Sequence, residues 1–372
     1  MTATDTSISL PTELLPKDGR FGSGPSKVRP EAIHALSSLA EDYLGTSHRR
    51  MTAKNQVTRL RSGLTNLFDL PDGWEIVLGN GGTTLFWDAA SFGLIENVSQ
   101  HLAFGEFSSK FAKVVQAAPH LGEPQIISSE PGTHPVPVEA AVDSYALTHN
   151  ETSTGVSPSL TRPSEEGLVL VDATSAAGAI CWDSAEVDCY YFAPQKALAS
   201  DGGLWLAACS PRAIERIERL TSGDRWIPAG LDLGIALTNS RQNQTYNTPS
   251  LATIFLAAEM VDWINESGGL EWAEARCRES SNTIYRWADE RSFTQPFVTD
   301  ANQRSPVVCT VDFDGVDADV ISGILRANGV LDTESYRGLG RNQLRIATFP
   351  AIDPDDVSAL CACVDYIVES LR

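Results

Sequence analysis

Two residues of this chain pair a reactive group with a place to use it. Lys196 is one of six lysines beside 22 arginines, and no other lysine follows residue 113. An arginine keeps its charge at any pH a protein meets, whereas a buried lysine can lose its proton and attack a carbonyl carbon. Lys196 follows the apolar run Tyr190-Tyr191-Phe192-Ala193 and precedes the small-residue loop Ala199-Ser200-Asp201-Gly202-Gly203, as a lysine at the mouth of a strand does. Alone, it reads equally as a surface lysine in an arginine-biased sequence. The second residue is Asp172, which ends the apolar run Leu168-Val169-Leu170-Val171 and leads into Ala173-Thr174-Ser175-Ala176-Ala177-Gly178. An aspartate in that position also serves as a cap for a following helix.

An amine and a carboxylate at two consecutive strand ends suit the needs of pyridoxal phosphate (PLP). That cofactor is tethered through its carbonyl by a lysine, and a carboxylate keeps its pyridine nitrogen protonated so that the ring accepts electrons. A third motif, Gly79-Asn80-Gly81-Gly82-Thr83-Thr84, lies between the apolar run Ile76-Val77-Leu78 and the helical pattern beginning Leu85-Phe86-Trp87. Glycines let backbone approach an anion, and the free amides at a helix start hold phosphate oxygens. The motif is neither a dinucleotide fingerprint nor a P-loop, and a Gly-rich turn opening a helix is also simply a turn.

The elements that must position these residues follow from periodicity. Short β-rich runs at Ile76–Leu78, Leu102–Phe104, Gln125–Ile127, Tyr145–Leu147, Leu168–Val171 and Cys189–Phe192 alternate with helix-length segments. That alternation predicts crossover connections and an α/β fold with a mostly parallel sheet covered on both faces, its ligands at the carboxyl ends of the strands. A long helical pattern covers residues 253–264, and Gly268-Gly269 punctuates it. A second αβ unit is predicted from strands near Val307–Val311 and Leu344–Ile346 and a helix over Val357–Leu371. The expected organisation is an N-terminal arm over 1–20, a large domain over 21–258 and a small C-terminal α/β domain over 259–372.

Composition bounds the function. With 372 residues and 42% hydrophobic content the chain can bury a large core, and its formal charge of −20 argues against nucleic acid and against an anionic membrane surface. Seven cysteines are scattered without metal-ligand spacing, so no metal site is expected and the thiols are read as reduced. The first twenty residues, with Asp5, Glu13, Lys17 and two prolines, lack the apolar core of a signal peptide, and no later stretch is long enough to span a bilayer. The expectation is a cytoplasmic, soluble protein.

At the level of ordered motifs the chain resembles the phosphoserine aminotransferases, a family of class V PLP-dependent aminotransferases, in their actinobacterial form. The resemblance runs from about Phe21 to the C-terminus. Its segments are Phe21-Gly22-Ser23-Gly24-Pro25, Thr46-Ser47-His48-Arg49, Gly79 to Thr84, His149-Asn150-Glu151-Thr152, Val171 to Ser175, Ala193-Pro194-Gln195-Lys196 and Tyr246-Asn247-Thr248-Pro249. It implies the PLP-dependent transferase fold type I. It also implies that Gly82 and Thr83 donate amides to the cofactor phosphate with Gln195 beside them, that Phe107 stacks on the ring, and that Thr152 bonds near the phenolic oxygen. Asn247 and Thr248, otherwise ordinary turn and capping residues, are implied to reach the phosphate of a neighbouring subunit, and hence a two-fold homodimer with shared active sites. Arg345 is implied to grip the α-carboxylate, and His48, Arg49 and Arg337 to recognise the substrate phosphate. The chain departs from the family pattern where many relatives carry a basic residue and it has Thr83, where Trp is usual and it has Phe107, and where His is common and it has Tyr336; Arg341 is a candidate replacement cation.

The implied reaction moves the amino group of glutamate to 3-phosphohydroxypyruvate, giving O-phospho-L-serine and 2-oxoglutarate in serine biosynthesis. Lys196 would hold the cofactor and then carry a proton to and from the amino-acid α-carbon, with Asp172 holding the ring nitrogen charged. Two alternatives stay open: another class V aminotransferase, of the serine or alanine:glyoxylate type, and a PLP-binding protein without catalysis. A cysteine desulfurase is disfavoured because no Cys lies between Cys309 and Arg345.

Overall fold

The computed structural model describes residues 8–371; residues 1–7 of the expected arm, Asp5 among them, lie outside the described residues, as does Arg372. In chain order the larger unit comprises α1 (Pro30–Tyr43), α2 (Met51–Leu67), β1 (Glu75–Asn80), α3 (Thr83–Gly93), β2 (Ser99–Ala103), α4 (Glu106–Ala117), β3 (Gln125–Ser128), β4 (Ser144–Thr148), β5 (Leu168–Asp172), β6 (Cys189–Phe192) and β7 (Leu204–Cys209). Next come α5 (Pro211–Thr221), α6 (Leu233–Arg241), α7 (Leu251–Ser267) and α8 (Gly269–Glu290). The chain closes with β8 (Thr294–Pro296), β9 (Val308–Phe313), α9 (Ala318–Ala327), β10 (Gln343–Ala347) and α10 (Pro354–Leu371).

The seven-stranded sheet has the order β1-β7-β6-β5-β4-β2-β3. From β6 to β3 every pairing is parallel, while β7 runs antiparallel to both β6 and β1. The mostly parallel α/β sheet expected from the sequence is therefore present, with one reversed strand that periodicity did not reveal. Successive residues of β5 and β6 face opposite layers: Val169, Val171, Tyr190 and Phe192 join the core beneath α7 and α8, whereas Leu168, Leu170, Cys189 and Tyr191 join the one beneath α3, α5 and α6. Both strands are buried at every position, as a central strand covered on two faces must be.

The smaller sheet, β10-β9-β8, is antiparallel. Position 258, where the sequence reading divides the chain, falls within α7. That helix starts at a Ser250 cap, whose Oγ accepts from the Thr253 amide at 3.3 Å, and ends at Gly268, whose φ of 127° lets the chain leave the helix and start α8 at once. Residues 8–20 lie along the smaller unit: the Leu10 amide donates to Asn328 Oδ1 at 2.9 Å, and the Lys17 amide to Asp356 Oδ1 at 2.7 Å. Among the described residues no helix is long and apolar enough to cross a membrane, and no His/Cys/Asp/Glu group could hold a metal ion.

Candidate active site

The carboxyl ends of β4, β5 and β6 and the amino end of α3 converge on a cavity of about 300 Å³. Its lining includes Gly82, Thr83, Phe107, Thr152, Asp172, Gln195 and Lys196, seven residues drawn from five separate segments of sequence. Parallel strands bring this about: Thr148 pairs with Asp172 at the ends of β4 and β5, and Asp172 pairs with Tyr191 near the end of β6, five residues before Lys196.

Asp172 is buried, and its carboxylate takes three hydrogen bonds. Oδ1 accepts from the Thr174 amide at 3.0 Å and the Thr174 hydroxyl at 2.5 Å, and Oδ2 accepts from the Trp87 indole at 3.2 Å. Burial pushes its pKa up to about 6 against the pull of those donors. Lys196 is partly buried and donates to the Ser23 carbonyl at 2.5 Å. Its pKa is pushed down to about 8, by burial first and by the charge of Arg345 second, with Asp172 and Glu151 acting in the other direction. A substantial neutral fraction of the amine near physiological pH is the state a nucleophile needs. Gly24 passes so close that an added Cβ would lie 2.1 Å from Lys196 Nζ, so this position demands glycine for its space as well as its φ of 140°.

Phe107 forms part of the wall, its ring centroid 6.0 Å from Lys196 Nζ. Glu151 holds it there from beneath α4. This buried carboxylate accepts from the Phe107 amide at 3.3 Å, the Ser108 amide at 2.9 Å and the Ser153 hydroxyl at 2.7 Å, a side-chain cap on the helix start. At the far end, no side chain caps α3, because its N-cap is Gly82. The amides of its first turn are thus available to an anion, beside the Thr83 hydroxyl, which lies 2.8 Å from that of Thr174.

Polar atoms without partners mark what the cavity can take. Gln195 Oε1, Asn150 Oδ1, Ser23 Oγ and Arg345 Nε are buried and unbonded among the described residues. Arg345 gives one N–H to the Thr152 carbonyl at 3.3 Å, its guanidinium 5.3 Å from the Tyr336 ring. The set fits PLP: an amine for its aldehyde, an oriented carboxylate for its ring nitrogen, an aromatic wall for its ring and an uncapped helix start for its phosphate.

Other residues singled out from the sequence stand apart from this cavity. Asn247 and Thr248 are exposed and bond Asn80 at the end of β1: Asn80 Nδ2 donates to the Thr248 carbonyl at 3.1 Å, and the Asn247 amide donates to Asn80 Oδ1 at 3.3 Å. Arg49 is exposed in a surface depression shared with Tyr246 and Asp232, and Arg337 is exposed in a separate one beside Asp332 and Ser335. His48 Nε2 is buried and unpaired among the described residues, and the ring is held below its usual pKa by burial and by Arg49. Arg341 is bound to Asp312 through Nε at 3.1 Å and lies 4.5 Å over the Phe297 ring, lining the same depression as Arg337 and standing apart from the cleft.

Comparison with known proteins gives this arrangement its context. The class V aminotransferase model matches residues 138–333. A phosphoserine aminotransferase of Nocardioides sp. is 55% identical over 370 residues, covering 98% of this chain and 99% of that protein. The chain belongs to the phosphoserine aminotransferase family. Two solved structures share its fold: the phosphoserine aminotransferase of Cytophaga hutchinsonii, with TM-score 0.87 at 24% identity over 94% of this chain and 99% of that one, and the PLP-bound enzyme of Trichomonas vaginalis, with TM-score 0.78 at 19% identity over 94% and 100%.

For this family member, sequence reasoning singled out Lys196, Asp172 and the Gly79–Thr84 turn, which the fold brings to one cavity, and it missed the residues that support them. Trp87 was visible only as one residue of an apolar helix, and Glu151 only as part of a motif. Neither has a local signal, since what each contacts is remote in sequence.

Proposed function

We propose that this chain is a phosphoserine aminotransferase that transfers the amino group of glutamate to 3-phosphohydroxypyruvate, giving O-phospho-L-serine and 2-oxoglutarate, with PLP held at Lys196. The observation that carries the reading is the single cleft that unites Lys196, Asp172 and the uncapped start of α3, in a chain similar from end to end to proteins of that name.

PLP, when bound, supplies an electron sink for the charge that develops at the amino acid's α-carbon. The chain's own residues do the rest. Lys196 Nζ, poised near pKa 8, holds the cofactor and moves the α-proton. Asp172 keeps the ring nitrogen protonated, Phe107 bounds the ring, and Gly82, Thr83 and Gln195 receive the phosphate. Arg345, with its unpaired Nε, takes the α-carboxylate. His48, Arg49 and Arg337 select a phosphorylated substrate. We assign Asn247, Thr248, His48 and Arg49 to the active site of a second copy, in a symmetric homodimer. The reading is supported by the exposure of Arg49, Asn247 and Thr248 outside the chain's own cleft and by exposed apolar residues nearby, Met51 at 67% and Tyr246 at 48%. The division into a large domain over 21–258 and a small one over 259–372, and a cytoplasmic location for an enzyme with seven free thiols, belong to the same proposal.

The test compares phosphoserine with unphosphorylated serine as amino donor in wild type and Arg49→Ala. Wild type is expected to prefer phosphoserine by 10²-fold or more in kcat/KM, roughly the worth of two charge-assisted contacts. The substitution should erode most of that preference while leaving serine turnover alone. Equal use of both donors by wild type would exclude a phosphate-specific enzyme.

A further inference from the structure

Helix α3 touches the cleft twice. Its first residue, Thr83, lies at the anion end, and Trp87, one turn later on the same face, reaches the acid at the other end. The Trp87 indole is 2% exposed, lies nearly parallel to the Phe111 ring, at 17° with centroids 6.1 Å apart, and donates its N–H to Asp172 Oδ2 at 3.2 Å. Thr174 occupies the other oxygen. We propose that Trp87 is a positioning residue, the second arm of a clamp that keeps Asp172 ionised and in one orientation, so that the same helix seats the cofactor's phosphate and sets the grip on its ring nitrogen.

This inference rests on the PLP reading above. Its rival is a packing role, in which the indole merely fills space between α3 and α4. A carboxylate that accepts a hydrogen bond favours its charged form. Thr174 on the loop after β5, Tyr190 and Tyr191 from β6, Glu151 and His149 from the segment after β4, and Lys196 also surround Asp172. Replacing Trp87 leaves all of these in place. Loss of the indole donor alone should therefore raise the pH below which Asp172 is protonated and the ring nitrogen is released.

The experiment measures PLP dissociation from holoenzyme by the loss of its visible absorbance, as a function of pH, in wild type, Trp87→Phe and Phe111→Leu. Trp87→Phe is expected to move the midpoint of cofactor loss upward by about one pH unit, a roughly tenfold weaker affinity at fixed pH within the transition. Phe111→Leu, which disturbs the same packing without touching Asp172, should leave the midpoint in place. An unmoved midpoint in Trp87→Phe, or an equal shift in Phe111→Leu, overturns the proposal. Should Trp87→Phe not fold, wild-type protein decides: of its eight tryptophans, one indole N–H resonance must shift through the pH range of cofactor loss and must cease to do so in Asp172→Asn. If none does, the clamp is refuted. A wild type that shows no visible absorbance with PLP would sink the cofactor reading itself, a result distinct from an unshifted variant.

Discussion

At the inner end of the cleft, Asp172 takes three hydrogen bonds from its own chain and Glu151 caps α4 behind Phe107, whereas Arg49, Arg337, Asn247 and Thr248 stand exposed on the surface, apart from the cavity. The difference follows from solvation. A buried carboxylate costs several kcal/mol unless the fold supplies donors, so one chain must complete the inner end for that chain to be stable. An exposed guanidinium is already solvated and imposes no such demand. In our proposal the inner residues are therefore organised before any ligand arrives, and the exposed ones await a second surface. In our proposal that surface is another copy of the chain.

The sharpest way to break this comparison is at the inner end. Lys196→Ala is expected to lower turnover by 10³-fold or more and to abolish the visible absorbance of the bound cofactor; a variant retaining both would remove the amine from its role. The next effect lies at the exposed residues. Lys196→Ala and Arg49→Ala, each defective alone, should complement when their subunits are mixed, because one hybrid site regains both residues. Random pairing gives hybrids half the dimers and one sound site in each, so activity for phosphoserine should recover to roughly a quarter of wild type. Strict additivity of the two defective enzymes would place Arg49 in its own chain's site.

The smallest effect is a shift along the pH axis. Lys196 reacts as the neutral amine, so the rate at which PLP-free enzyme takes up cofactor should rise with pH up to about 8 and then level. At pH 6 it should be roughly hundredfold below the plateau. Arg345 holds that pKa down, so Arg345→Gln should move the midpoint upward and slow uptake at neutral pH. A midpoint that stays put would show that burial alone tunes the amine.

Much of the inner end was legible before any coordinates. Lys196 and Asp172 sit beside short apolar runs bounded by small-residue loops, as strands are, and Gly79 to Thr84 advertises a strand-to-helix turn. The strand β7 was not, because Leu204–Cys209 is an apolar run buried along its length, with no alternation to distinguish it from any other interior segment. Its antiparallel direction is a property of pairing, not of composition. The helix α8 escaped for a related reason: its polar face obscures a narrow apolar stripe.

Sequence alone determined the alternation of elements, the candidacy of Lys196 and Asp172, and the family resemblance that joins them, because each depends on residue type and local order. Only the tertiary structure decided that Trp87 bonds Asp172, that Glu151 anchors Phe107, that Asp312 engages Arg341, and that Arg49 and Arg337 stand outside the cleft that holds Lys196. Those facts are distances between residues far apart in the chain, and a distance of that kind exists only once the strands have paired and the helices have packed.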